Sequence, residues 1–470
     1  MRQIVLLFTS CLFFVFTFSQ APGIKWQRTI GGSSDERGYA VFLTTDSGYL
    51  FINQTTSNNG DVIGNHGNSD IWIIKTNSGG IIEWKKSFGG ANNEVFLQAY
   101  YNSDGSTTIF TNSTSTDGDI TGNHGSSDIW VFKIDASGTL IWQISLGGSA
   151  AESFRYADTL SDNGYLVTGY TSSNDGDVSG NHGGDDVWIV KLSSSGNLQW
   201  QKCLGGTGTD RPRYIKTMSD GNYVMVGSTT STDNDVTGNH GSNDLWVVKL
   251  DVSGNILWQK AYGGTNSETG YKFIENSGSL IVLADAASTN GDVGGHHGTS
   301  YSDIWILNVS YSDGALSWQK CIGGTMAEVP VDIMRDNDGN FLIAGTTVSG
   351  DGDASGNHWM YHYQDILLAK INFGGNLIWS KCFGGTFNEN VFAMQNDSVS
   401  NQYALLGYTM SNDGDVTGFH PVSNYPSDST ADAWIIKLDT SGTIQWERCV
   451  GGDQNEHLYG FKKIGSDEYI

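Results

Sequence analysis

Loops rich in Asp and Asn recur along this chain, with the spacing of a calcium-binding loop. In one copy, Asp117, Asp119, Asn123 and Asp128 occupy positions 1, 3, 7 and 12 of a twelve-residue stretch. These are ligand positions of the loop template D-x-[DN]-x-[DN]-G, and calcium takes six to eight oxygen ligands. The same positions recur in two further copies, as Asp175, Asp177, Asn181, Asp186, Asp233, Asp235, Asn239 and Asp244. The pattern predicts calcium as a cofactor and indicates no other.

A second role fits the same residues, because Asp and Asn also accept backbone N–H bonds in turns. The other copies depart from the calcium template. The first copy has Asn59 and Ile63 at positions 1 and 5, and the last three place the final acid out of register, at Asp303, Asp365 and Asp432. Calcium binding and turn formation therefore both remain open.

Each loop also carries a histidine at an equivalent position. These are His66, His124, His182, His240, His297, His358 and His420. Zinc sites usually bring two ligands close together in the sequence, as in C-x-x-C or H-x-x-x-H. His358 and His362 have the second spacing, but the other loop histidines have neither, so we expect hydrogen-bonded structural histidines.

The longest loops contain aromatic residues where the other copies have Gly, Asn and Ser. The candidates for ligand binding are Trp359, Tyr361, His362, Tyr363, Phe419, His420 and Tyr425. Exposed aromatic side chains favour binding of a glycan or a protein. The alternative is that these longer loops pack the aromatic rings into small cores of their own.

Paired carboxylic acids would suit a glycosidase, which uses one as general acid and one as nucleophile. The spacing G-G-x-x-x-[ED] places acids at Glu36, Glu94, Glu152, Asp210, Glu268, Glu328, Glu389 and Glu456. They recur in every repeat, whereas a catalytic site needs one asymmetric arrangement. The clustered cations near these acids are Arg155, Arg211 and Arg213. We expect no enzyme and assign no catalytic residue; a glycan hydrolase is the alternative.

A repeat of about 58 residues must position all these groups. The string W-[QKES]-x-x-x-G-G begins at Trp26, Trp84, Trp142, Trp200, Trp258, Trp318, Trp379 and Trp446. The first four steps are 58 residues long, and the last three are 60, 61 and 67. A fixed period of this length is typical of repeat architectures.

Residues 91–148 show how one repeat folds. Strands are predicted at Val95–Tyr101, Thr107–Asn112, Asp128–Ile134 and Leu140–Leu146, separated by turn residues and one long polar loop. The strands are apolar on both faces, so the sheet must be covered on both sides. Four-stranded antiparallel sheets arranged radially satisfy this requirement, which predicts an all-β fold, a β-propeller. The long loops and the connectors between blades should then share one acidic face.

The expected number of blades is eight. Ile24–Ile30 would be the fourth strand of a split blade, with Leu458–Ile464 and the start of a strand at Tyr469 supplying its first two. Its third strand is missing, which suggests a truncated sequence. Seven complete blades are the alternative. In both cases residues 21–470 would form a single domain.

Residues 1–20 are predicted to be a signal peptide, with Arg2 ahead of the apolar run Ile4–Phe18. No later apolar run is long enough to span a membrane. We therefore expect a secreted or cell-surface protein, with no membrane span. The net charge of −25 would repel phosphate backbones and argues against nucleic-acid partners.

Four cysteines follow the repeat tryptophan by three residues, at Cys203, Cys321, Cys382 and Cys449. Other repeats have Thr, Ser or Ala there, so the position accepts a small residue and Cys fits as a small hydrophobe. Equivalent positions on different blades should lie too far apart for a disulfide. We expect free thiols.

The recurring strings W-Q-K-x-[LF]-G-G, D-x-G-[YN]-[YFL] and D-[IVL]-W-[IV]-[VI]-K, with G-[YS]-T-x-S-x-D-G-D-V-x-G-N-H-G between them, resemble the SBBP-type β-propeller repeats of secreted bacterial proteins. The resemblance covers residues 26–470. It implies a propeller and an extracellular location, but no particular activity.

Together these observations predict a non-catalytic scaffold. We expect a secreted monomer that presents a binding face to an extracellular glycan or protein.

Overall fold

The chain folds into seven four-stranded antiparallel sheets, each with its strands in sequence order. The computed structural model describes residues 21–358, 363–397, 400–420, 430–452 and 469. We number the sheets blade 1 to blade 7. The first strands of successive blades contact one another from blade 1 to blade 7, as expected for strands around the axis of a β-propeller.

The four strands of each blade occupy equivalent positions in all seven repeats. The first strands are β1 Glu36–Leu43, β5 Glu94–Tyr101, β9 Glu152–Thr159, β13 Asp210–Thr217, β17 Glu268–Asn276, β21 Glu328–Arg335 and β25 Glu389–Asp397. The second strands are β2 Tyr49–Thr55, β6 Thr107–Ser113, β10 Tyr165–Thr171, β14 Tyr223–Thr229, β18 Ser279–Ala286, β22 Phe341–Thr347 and β26 Gln402–Thr409. The third strands are β3 Asp70–Thr76, β7 Asp128–Ile134, β11 Asp186–Leu192, β15 Asp244–Leu250, β19 Asp303–Ser310, β23 Asp365–Ile371 and β27 Asp432–Leu438. The fourth strands are β4 Ile82–Phe88, β8 Leu140–Leu146, β12 Leu198–Leu204, β16 Ile256–Tyr262, β20 Leu316–Ile322, β24 Leu377–Phe383 and β28 Ile444–Val450.

The prediction for the unit 91–148 is confirmed almost to the residue. Its third and fourth strands have the predicted bounds, and the first two strands each gain one polar residue, Glu94 and Ser113. These two residues face each other in the β5–β6 ladder and share a hydrogen bond, described below.

The described residues form seven blades, the stated alternative, and not the eight-blade arrangement. Residues 24–30 are not in a strand, since no strand of the described chain pairs with them. Trp26 instead lies beside blade 1, with its ring centroid 5.8 Å from that of Tyr49. The guanidinium of Arg448 in β28 donates to the carbonyl of Pro22 at 2.5 Å. Residues 458–464, the other expected half of the split blade, lie outside the described residues.

The core of the propeller is built from third strands buried on both faces. Their fully buried tryptophans are Trp72, Trp130, Trp188, Trp246, Trp305 and Trp434. The indole N–H of Trp130 donates to Gln143 in the fourth strand at 2.9 Å, so its one polar atom remains paired. Burying each of these side chains stabilises the fold by roughly 2–3 kcal/mol.

The fourth-strand tryptophans hold neighbouring blades together. Trp84 in blade 1 donates its indole N–H to the carbonyl of Ala136 at 3.1 Å, in the β7–β8 turn of blade 2. Its ring lies against Gly138 of the same turn, where a Cβ would come within 2.8 Å of the ring. Gly138 has a φ of +73°, so both its backbone conformation and its close contact with the ring favour glycine.

The four cysteines of the described chain are free thiols. Three of them, Cys203, Cys321 and Cys449, are buried. Burial, with a smaller contribution from the charge of Asp186, raises the pKa of Cys203 to about 12. These thiols therefore act as small apolar groups that resist ionisation.

Helical structure in the described chain amounts to one short turn, Gly352–Ala354. A helix able to cross a membrane is not found among these residues.

Replacing Gly138 with Ala should destabilise the protein more than replacing Gly122 with Ala. Both glycines have positive φ, +73° and +82°, so both substitutions carry a backbone cost of about 1–2 kcal/mol. The Gly122 site is open space, whereas a Cβ on Gly138 collides with Trp84. Displacing that ring should cost about 1–3 kcal/mol more. Urea unfolding measures the difference, and equal losses would contradict the proposed role of the Trp84 contact.

Candidate functional site

The long loops between second and third strands lie on the same face as the connectors between blades, as predicted. In blade 2, the amide of Asp119 donates to the carbonyl of Gly89 at 2.9 Å. The Gly89 amide in turn donates to the Asp119 carboxylate at 3.2 Å. We call this the connector face, and the opposite face, which carries the tight turns, the hairpin face.

The acid that begins each first strand is a structural group. Glu94 is fully buried and accepts the amide N–H of Gly90 at 2.9 Å. Its other oxygen accepts the hydroxyls of Ser113 and Ser115, at 2.8 and 2.7 Å. The bond from the second connector glycine recurs at Glu36, Glu94, Glu152, Asp210, Glu268, Glu328 and Glu389. Apart from the partly exposed Glu36, these acids are buried and closed to a substrate; Glu456 lies outside the described residues.

Two predicted calcium ligands of blade 2 accept hydrogen bonds from the connector that enters the blade. The Asp117 carboxylate accepts the amide of Ala91 at 2.8 Å. That of Asp119 accepts the amide of Gly89. Equivalent bonds are made in blades 3 and 4 by Asp175, Asp177, Asp233 and Asp235.

The other two predicted ligands of blade 2, Asn123 and Asp128, are hydrogen-bonded within their own loop and to the end of the strand before it. Asn123 donates to the carbonyl of Ser113 and accepts from the amide of Gly125, at 3.3 and 3.0 Å. Asp128 accepts both the amide and the ring Nδ1 of His124, at 2.9 and 3.0 Å. The corresponding residues of blades 3 and 4 do the same, namely Asn181, Asp186, Asn239 and Asp244. Within the described ranges, no group of three or more His, Cys, Asp or Glu side chains is arranged to hold a metal ion.

The loop histidines are hydrogen-bonded to the acid that begins the third strand. The Nδ1–carboxylate distance is 2.7–3.0 Å in all seven blades. The bond persists in blades 5–7, where the acid lies six, seven and twelve residues after the histidine instead of four. Residues added to these loops are thus inserted between two ends that stay joined, which explains the register shift seen in the sequence.

Two buried carboxyl groups meet at the junctions between blades. At the junction of blades 5 and 6, Glu328 and Asp303 each approach Gly323, where a Cβ would lie 2.2 and 3.0 Å from their nearest oxygens. One Asp303 oxygen has no hydrogen-bond partner in the described chain. Burial raises the pKa of both groups, that of Glu328 to about 7 with a further contribution from the Asp303 charge. The ring Nε2 of His296 lies 3.8 Å from that oxygen, and a proton on Glu328 would remove the repulsion between the two carboxylates.

The aromatic candidates have different surroundings. Tyr363 is half-buried, and its ring centroid lies 5.3 Å from that of Phe387 in the following connector. Phe419 is only 5% exposed and packs in the core of blade 7, so its ring is not offered to a ligand here. The ring Nδ1 of His420 is hydrogen-bonded to the carboxylate of Asp432 at 2.7 Å. The remaining candidates lie outside the described residues: Trp359, Tyr361, His362 and Tyr425.

One set of positions near the axis could not be recognised in the sequence. Every first strand has a β-bulge at its fourth residue, which is skipped in the ladder with the second strand. The bulged residues are Tyr39, Leu97, Arg155, Arg213, Tyr271, Val331 and Phe392. A bulge redirects a side chain relative to the regular strand. At this position the blades share a backbone geometry but carry different side chains.

Comparisons with known proteins give only distant similarities. No family model matches this chain. No curated protein matches it either. Among solved structures, a Bacteroides caccae protein of unknown function is 15% identical over 69% of this chain and 93% of its own, with a TM-score of 0.35. A europium-containing methanol dehydrogenase is 10% identical over 89% and 82%, and a puromycin hydrolase 11% identical over 94% and 57%, with TM-scores of 0.45 and 0.46. At these values the similarities carry no argument about function.

Calcium added to chelator-treated protein should neither release heat nor raise the melting temperature. The carboxylates of Asp117, Asp119 and Asp128 already accept N–H bonds and point to different groups. Gathering the three of them around one calcium ion would require them to move away from those groups. Isothermal titration and thermal melts measure both quantities, and a saturable heat with a stabilised fold would show that the loops are calcium sites after all.

The Glu328→Gln variant should show a weaker dependence of stability on pH. Because the pKa of Glu328 is raised to about 7 in the fold, its protonated form favours folding. That stability is present below pH 4.5 and is lost as pH rises to about 7. The amide removes this contribution, of the order of 1–3 kcal/mol. Chemical unfolding at pH 4.5, 6 and 8 measures it, with Glu36→Gln, a partly exposed equivalent, as control. An unchanged pH slope in Glu328→Gln would contradict the protonation of Glu328 at this junction.

Proposed function

We propose that this protein is a secreted or cell-surface scaffold, without catalytic activity, that binds an extracellular glycan or protein on its connector face. One observation carries the proposal. The acids and histidines that recur in every blade are occupied by bonds within the propeller, so they form its frame. The residues that remain for a ligand are those that differ between blades.

Those differing residues lie on the connector face or next to it. They include the bulged positions of the first strands and Tyr363 in the lengthened loop of blade 6. Partly exposed aromatic rings that pack on a neighbouring ring, as Tyr363 does on Phe387, are suitable for stacking on a sugar or anchoring a protein side chain. The paired acids do not favour a hydrolase, because they are buried.

The extracellular location rests on the predicted signal peptide at residues 1–20 and on the resemblance to SBBP-type repeats. It agrees with the chain's net charge of −25, which suits a protein that does not bind nucleic acid. We propose a monomer with no bound cofactor required for the fold.

The Tyr363→Ala variant should lose at least tenfold in retention on a broad glycan array, because the ring supplies apolar contact area that Ala does not. Phe373→Ala is the matched control. Phe373 is 54% exposed and lies in the β23–β24 turn on the hairpin face. Its loss should leave retention unchanged.

Circular dichroism and melting temperature establish that both variants fold. Equal retention by both variants would place binding elsewhere than at Tyr363. An array on which the unmodified protein retains nothing would rule out glycans and leave a protein as the partner class.

A further inference from the structure

Three arginines gather where blades 3 and 4 meet beside the axis. Arg155 is the bulged residue of β9, and Arg213 that of β13. The guanidinium carbons of Arg155 and Arg211 lie 5.1 and 4.7 Å from the ring centroid of Tyr170. That of Arg213 lies 5.3 Å from the ring centroid of Tyr271. The aromatic rings hold the guanidinium groups in place through cation–π contacts.

The charges of this cluster are partly neutralised: burial raises the pKa of the Asp285 carboxyl to about 6, and the nearby charge of Arg213 opposes that rise. Arg211 pairs with Asp185 through two nitrogens, whereas Arg155 and Arg213 have no ion-pair partner in the part of the chain that the structure describes. All three side chains are exposed. Partial removal from water lowers the pKa of Arg155, and the positive charges of Arg213 and Arg211 lower it further. Like charges are thus held close together in a protein whose net charge is −25, which costs free energy unless an anion offsets it.

The equivalent axial positions of the other blades carry aromatic and apolar side chains. These are Tyr39, Leu97, Tyr271, Val331 and Phe392. Leu97 is 40% exposed, although its side chain is large and apolar. A ligand here would meet guanidinium groups on one side of the axis and rings or aliphatic groups around the rest.

We propose that Arg155, Arg211 and Arg213 bind the carboxylate or sulfate group of an acidic sugar. This proposal rests on the proposed binding function and specifies its ligand. Guanidinium groups bind planar carboxylates in a bidentate manner and also bind sulfate strongly. The surrounding aromatic side chains match the apolar face of a sugar ring.

The charge of the whole protein limits the size of the anion. A long polyanion would meet the acidic surface of the chain and be repelled. A single charged sugar at the end of a mostly neutral chain, or within it, would meet much less of this repulsion.

A glycan array with matched neutral, uronate-bearing and sulfated members tests the proposal, and the two anionic arms separate carboxylate from sulfate. The unmodified protein should retain anionic members at least tenfold more strongly than their neutral counterparts. Retention should fall as salt is raised, since the attraction is electrostatic.

The double variant Arg155→Gln/Arg213→Gln should lose at least tenfold in retention of the anionic members. Arg335→Gln is the control, because Arg335 is an exposed arginine at the opposite end of a first strand, β21. It should bind as the unmodified protein does. Equal melting temperatures show that the variants fold.

Retention of neutral members to the same extent, or anionic retention that survives the double substitution, would overturn the arginine site while the proposed binding function stood. Retention of no glycan at all would overturn the acidic-sugar proposal together with the glycan part of the proposed function.

Discussion

Two consecutive glycines between blades leave amide groups that no strand can pair, and buried carboxylates provide their acceptors. In blade 2 the Gly90 amide is bonded to Glu94 and the Gly89 amide to Asp119. A Cβ on Gly89 would come within 2.3 Å of a Glu94 oxygen, so the first position admits no side chain. The pattern G-G-x-x-x-[ED] follows from this geometry, because the acid accepts a hydrogen bond from the amide of the connector glycine four residues before it. Hydroxyl groups at the end of the second strand then balance the buried charge.

This arrangement divides the polar residues into two groups. Acids, histidines and loop asparagines repeat from blade to blade because each satisfies a backbone group or a neighbour in the same way. Their recurrence reflects the repeated frame and not a repeated active site. Residues such as Arg155 and Arg213 occupy positions where the frame fixes the backbone but not the side chain. Differences between blades at those positions are where specificity can reside.

Much of this fold could be predicted from the sequence, because apolar strands, turn residues and a fixed period are all local patterns. The bounds of β7 and β8 were predicted to the residue. The blade number was not, since Ile24–Ile30 has the composition of a strand but no described strand beside it. The hydrogen-bonded role of the loop histidines was expected, whereas their partners were not. The spacing between histidine and acid differs between loops, as in His297–Asp303 and His420–Asp432. The sequence alone therefore does not identify the partner.

The arginine cluster lies at the limit of what sequence can show. Arg155, Arg211 and Arg213 were recognisable as grouped cations. The tyrosines whose rings they contact, Tyr170 and Tyr271, lie on other strands. The bulges that redirect Arg155 and Arg213 depend on pairing with β10 and β14. A ladder irregularity of this kind is set by the partner strand and leaves no fixed residue type behind.

The histidine–aspartate bond that closes each long loop has a consequence for how such a propeller can change. Its two ends remain 2.7 Å apart whether three residues separate them or eleven. New segments can therefore be accommodated at this point without disturbing the strands on either side. The hydrogen bond holds the two ends of the loop in place whatever the length of the insertion. Each blade offers one such place, so foreign peptides grafted between these two residues would be displayed on a common face at roughly regular angular intervals.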